Sequence, residues 1–147
     1  MKGTTLLALI VMGFAVHARG AQLDCPPGPC VVDVTVDEAT CAMSVSADPI
    51  MVHKPGAMIF RLQTTGWRFA PDKGIQFKDP PAPGRVLPVN LFTPILSQSS
   101  HMLAAIHNRY DIGRPLPTDI GRFPYTVTVM KEDGTKTCKL DPVVANN

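Results

Sequence analysis

The sequence is short of several things, and each shortage excludes something. No apolar run reaches the roughly 20 residues that a membrane-spanning helix needs. The longest, Leu6 to Val16, has eleven. There is no Asn-x-Ser/Thr acceptor for an N-linked glycan. Gly-x-Ser-x-Gly, Ser-x-x-Lys and paired carboxylates beside a histidine are missing, which removes the recognised local signatures of hydrolysis. No glycine-rich phosphate cradle or dinucleotide fingerprint is present either. Ser97, Ser99 and Ser100 lie near His101, but polar loops commonly place serine and histidine together. Internal repeats and long stretches of helical periodicity are absent, and tryptophan occurs once, at Trp67.

Charge of one sign is also lacking once the N-terminus is set aside. Lys2 and the apolar run Leu6 to Val16 read as a secretory signal, with small residues for cleavage after Ala18 or Gly20. Residues 1–20 carry Lys2 and Arg19 and no acid, so the expected mature chain, 21–147, holds twelve basic and twelve acidic residues. That balance argues against nucleic acid as a partner. About 127 residues make one domain with a real core. The expected location is periplasmic or extracellular, with no transmembrane segment in the mature chain.

What is present is β-pattern and cysteine. Phe123 to Met130 and Thr135 to Leu140 flank Asp133-Gly134, which suits the two positive-φ positions of a type I′ turn. A two-residue loop sets Val129 opposite Cys138 and Val127 opposite Leu140, with Tyr125 on the same inward face. Val31 to Val36 and Cys41 to Ala47 alternate across Asp37-Glu-Ala-Thr40, a pairing that sets Val36 against Cys41, Val34 against Met43 and Val32 against Val45. Asp48-Pro49 breaks the run. Ile50 to His53 is a short strand, Lys54-Pro55-Gly56-Ala57 a type II turn, and Met58 to Gln63 a strand with Met58, Phe60 and Leu62 inward and Arg61 and Gln63 outward. Gly74 to Lys78 is another strand. Proline is dense from Asp79 to Pro94, which fits a surface loop or a sheet edge. His101 to His107 is either a buried strand or a short helix, and Asp141 onward reads as a tail. The sum is an all-β, antiparallel Greek-key sandwich of about seven to eight strands.

Two stretches, Ile50-Met-Val-His-Lys-Pro-Gly-Ala-Met-Ile-Phe-Arg-Leu62 with Trp67-Arg-Phe69, and Phe123-Pro-Tyr-Thr-Val-Thr-Val129, resemble the cupredoxin-like sandwiches, although Ig-like sandwiches share such motifs. The chain is also similar to small, uncharacterised exported bacterial proteins that end in a Tyr-x-Val-x-Val hairpin and an Asp-Pro-x-x tail. The resemblance implies a sandwich without the type 1 copper site. That site takes a histidine from the first ligand loop and a Cys, His and Met close together in the last. Here Trp67, Arg68 and Phe69 follow the apolar strand with no histidine, and Tyr125 runs straight into Asp133-Gly134.

Four cysteines, Cys25, Cys30, Cys41 and Cys138, allow three disulfide connectivities in an oxidising compartment. The preferred one is Cys25–Cys30 as a local staple and Cys41–Cys138 as a long-range bridge. A redox pair would use a two-residue spacer, and zinc would need a second close pair of ligands. Met51 with His53, and His101-Met102 with His107, are the only soft donors that suggest copper. Trp67, Arg68, Phe69, Leu91 and Phe92 make the candidate contact surface, aromatic and arginine side chains being favoured at binding hot spots; the competing role for Trp67 is to cap the core. The expectation is therefore an exported, disulfide-stabilised, non-catalytic binding module for a protein or small ligand, without cofactor. The alternative is a periplasmic copper-binding or copper-delivery protein.

Overall fold

The structure, a computed structural model, describes residues 21–25, 29–52, 56–79, 92–99, 101–107 and 121–146. The expected signal peptide, His53, Leu91 and the turn at 54–55 lie outside them. Twelve strands occur among the described residues and no helix does: β1 (Ala21–Asp24), β2 (Cys30–Val36), β3 (Met43–Val45), β4 (Ala47–Val52), β5 (Gly56–Leu62), β6 (Trp67–Phe69), β7 (Ile75–Phe77), β8 (Phe92–Ser99), β9 (Met102–His107), β10 (Gly121–Lys131), β11 (Thr137–Leu140) and β12 (Val143–Asn146).

β10 is the spine of a seven-stranded sheet. It alternates apolar residues on one face, Phe123, Tyr125, Val127 and Val129, all fully buried. Along one side it pairs with β11 and then β12 without a slip in register: Leu140 faces Val127 and Val143 faces Pro124. β6 and β7 run along its other side, separated by an excursion over 70–74 that leaves Thr128 bonded to both Ala70 and Gly74. β12 continues to β4, and β4 to β1. The second sheet has the order β3-β2-β5-β9-β8. Its inward residues, including Val32, Val34, Met58 and Phe60, join those of the first sheet in one core, where the Phe60 and Tyr125 rings meet at 5.5 Å.

Both sheets are mixed, which corrects the antiparallel, seven-to-eight-strand expectation. β1 with β4, β4 with β12, and β2 with β5 are parallel. Parallel partners are distant in sequence, so no turn announces them. The stretch expected to be a tail is β12, which lies inside the seven-stranded sheet. The Asp48-Pro49 break is also absent: β4 runs through a cis Asp48–Pro49 peptide. His101 to His107 resolves to a strand, β9, after a turn at His101. Pro94 sits in β8, the edge strand of its sheet, the place in a sheet where proline is tolerated.

The two hairpins differ from expectation in instructive ways. In β10–β11 the register is as read, but Glu132 to Thr135 form a wider loop, with Gly134 N donating to the Lys131 carbonyl. Only Gly134 has positive φ, at 76°, so the turn is not type I′. Asp133 caps it instead, its carboxylate accepting from the Thr135 amide and hydroxyl. In β2–β3 the pairs are Val34 with Val45 and Val36 with Met43, two residues from the expected register. The faces survive because the slip is even. Its cause is a loop over 37–42 in which Cys41 adopts φ 62°, leaving the ladder to reach its disulfide partner.

Candidate functional site

Both disulfides join the layers. Cys25 follows β1 of the seven-stranded sheet and bonds Cys30 at the start of β2, with Cα atoms 5.3 Å apart. Cys41, just past the other end of β2, bonds Cys138 of β11, Cα atoms 5.6 Å apart. The pairing is the one preferred from sequence. Around the second bridge the 37–42 loop is held further by ion pairing of Glu38 with Lys131, whose pKa this hydrogen bond raises, and by Lys136 donating to the Glu38 carbonyl. β2 is thus fastened to the opposite sheet at both ends.

The outer face of the five-stranded sheet carries a polar network centred on Asp33. The Arg61 Nε and Nη2 donate to the two Asp33 carboxylate oxygens at 2.7 and 3.1 Å, and Gln63 Nε2 donates at 2.6 Å. These bonds, that from Arg61 first, hold the Asp33 pKa below the usual carboxylate range. Next to it in register lie Val31 and Met102, each 41% exposed.

The outer face of the seven-stranded sheet is arranged in rows across β10. One row is Arg68, Met130 and Thr137; the next sets Lys139 against Thr128; the third is Gln76, Thr126 and, just past β11, Asp141. Asp141 accepts from Lys78 Nζ at 2.8 Å and from the Thr126 hydroxyl at 2.6 Å, and these bonds lower its pKa. Thr126 and Thr128 point outward yet are only 7% and 5% exposed. Within this shielded ground the Arg68 Nε is buried and has no hydrogen-bond partner.

Two other buried polar atoms lack partners, Trp67 Nε1 and the Tyr125 hydroxyl. Both belong to the core. Burial, and secondarily the charge of Asp48, pushes the Tyr125 pKa far above its ordinary value.

Of the candidate contact residues, Trp67 and Phe69 are therefore corrected: at 0% and 3% exposure they fill the core, and only Arg68 between them faces outward. Strand alternation alone carried that signal. Phe92 begins β8 opposite His107. Among the candidate copper donors, Met51 lies on β4 between Asp24 and Ala145, in the seven-stranded sheet. His101, Met102 and His107 belong to the turn before β9 and to β9 itself. Six residues of extended chain put His101 and His107 about 20 Å apart, so they do not share an ion. His101 Nε2 instead approaches Glu132 at 3.3 Å. The described residues contain no group of three His, Cys, Asp or Glu side chains able to hold a metal, and no helix among them is long and apolar enough to cross a membrane. Set against known proteins, the chain matches no family model and no curated relative. The Asp33–Arg61–Gln63 and Thr126–Asp141–Lys78 networks were not foreseen, since β2 with β5, and β7 with β10, are neighbours that only the topology shows.

Proposed function

We propose that this protein is an exported, disulfide-stabilised binding module without catalytic activity, acting in the periplasm or outside the cell. The observation that carries the proposal is the pair of disulfides at the two ends of β2, each tying one sheet to the other. Such bonds persist in oxidising compartments, and their placement serves a rigid scaffold rather than thiol exchange. The absence of catalysis is supported by the missing sequence motifs and by the polar networks, whose carboxylates are engaged by neighbouring cations. The cupredoxin-like or Ig-like sandwich is part of the same proposal. It is supported by two layers on one core, and by the quoted stretches falling on β4, β5, β6 and β10.

Native mass spectrometry of the protein from its exported fraction, with and without copper, tests this reading. The expected species is a chain cleaved after Ala18 or Gly20, four hydrogens lighter than the reduced form, with no retained metal. A retained signal segment or free thiols would sink the exported module. A stoichiometric copper adduct surviving a competing chelator would replace it with the copper-delivery reading, against which the separation of His101 from His107 already weighs.

A further inference from the structure

We infer that Arg68 and Lys139, which flank β10 from opposite sides on the outer face of the seven-stranded sheet, form a binding site for a tetrahedral oxyanion, a phosphate or sulfate group. The inference deepens the binding-module reading by naming a ligand class. It begins with an imbalance of donors and acceptors. Arg68 presents a rigid fork of N–H groups matched to two oxygens of one anion, and its Nε is withdrawn from solvent with nothing to bond. Buried polar atoms in folded proteins are nearly always paired, so an orphan of this kind is evidence for a missing acceptor.

The surroundings favour an anion as that acceptor. None of the ion pairs among the described residues involves Arg68 or Lys139. The acid of this face, Asp141, is bonded to Lys78 and Thr126 one row away. Asp141 also feels the charge of Lys139, which leaves Arg68 as the cation of this face with no acid against it among the described residues and Lys139 only partly compensated. Arg68 is level with Met130 on one side of β10, and Lys139 is level with Thr128 on the other. Strand spacing and rise put their Cβ atoms about 12 Å apart, a span that two long side chains close around one phosphate-sized group. The Thr128 floor is 5% exposed, so an ion held there is partly shielded from bulk water, which strengthens its contacts. Arg68 grips as a fork and Lys139 as a point charge, the division of labour these side chains show at phosphates.

The test is a titration of the folded, disulfide-bonded, ¹⁵N-labelled protein with inorganic phosphate and, separately, sodium sulfate, with sodium chloride at matched ionic strength as control. The Arg68 Nε–Hε cross-peak and the Thr128 and Lys139 amides are followed by NMR. The inference expects saturable, mutually competitive shifts with both oxyanions and none with chloride. Arg68→Gln should weaken binding at least tenfold and Arg68→Lys, which keeps the charge and loses the fork, by an intermediate factor. Lys139→Met, at an exposed position that leaves the core intact, should weaken it about threefold. Arg61→Gln on the opposite sheet should leave affinity unchanged. Shifts that chloride reproduces, or equal affinity in Lys139→Met and the parent, would overturn the site. Because cleavage and disulfides are read by mass and the oxyanion by titration, failure of one does not mimic failure of the other.

Discussion

The Tyr125 ring is among the largest buried side chains and packs against Phe60 and Phe77, yet its hydroxyl has no partner. An unpaired buried hydroxyl costs about 1–3 kcal/mol, while the ring contributes packing that phenylalanine would keep. Tyr125→Phe is therefore expected to leave stability unchanged or raise it by about 1 kcal/mol in urea denaturation. The pH dependence has a definite sign. The folded-state pKa lies above the unfolded value, so the stability tied to the protonated phenol is complete below about pH 10. Above that, only the unfolded chain releases the proton, and stability falls by about 1.4 kcal/mol per pH unit. Comparing urea midpoints from pH 9 to 11 should show this limb in the parent and a shallower one in Tyr125→Phe. Gly74 is a different constraint: a Cβ there would lie 2.3 Å from Leu103 Cδ1 and 3.0 Å from Phe69 Cβ. Overpacking of this kind costs about 1–3 kcal/mol, and Gly74→Ala should lose that much in the same assay. Periodicity showed Tyr125 pointing inward; it could not show an unpaired hydroxyl or a close approach between sheets, since each depends on residues from another strand.

Among the elements, local chemistry was the readable part. Asp133-Gly134 fixed the β10–β11 register even though the loop is wider than type I′, because a longer loop centred on the same residues preserves every pair. The β2–β3 register was misread by two because nothing in Asp37 to Cys41 announces that a cysteine will take a left-handed conformation to reach β11. The disulfides that frame β2 should be unequal in effect. In the chain-entropy model, closing the roughly hundred-residue loop from Cys41 to Cys138 is worth about 4.7 kcal/mol, and the short Cys25–Cys30 loop about 2 kcal/mol. Replacing each pair by alanine, so that no lone thiol remains, and comparing urea midpoints tests this. The Cys41/Cys138 variant is expected to be the less stable by about 2.5 kcal/mol, and the reverse order would show that the short staple does more than close its loop.

For the molecule as a whole, Asp33, Asp37, Asp133 and Asp141 all have pKa values lowered by hydrogen bonds made in the folded state. Depressed carboxylates stabilise above their unfolded pKa near 4 and lose that contribution as pH falls through the folded values. The melting temperature should therefore decline below about pH 4 and, through Tyr125, above about pH 10, with a plateau between. Melting curves across that range check it. The all-β class and the two-layered core were legible because alternation and turn residues are local. The parallel partners β2–β5 and β4–β12 were not, because the residues that pair lie far apart in the chain. The place of β12 also governs the timing of assembly. Val143–Asn146 fills the gap between β4 and β10, so a chain whose last strand has not yet docked has two half-sheets and nothing to join them. The two pieces of that sheet therefore close into one only when the final strand seats itself between them.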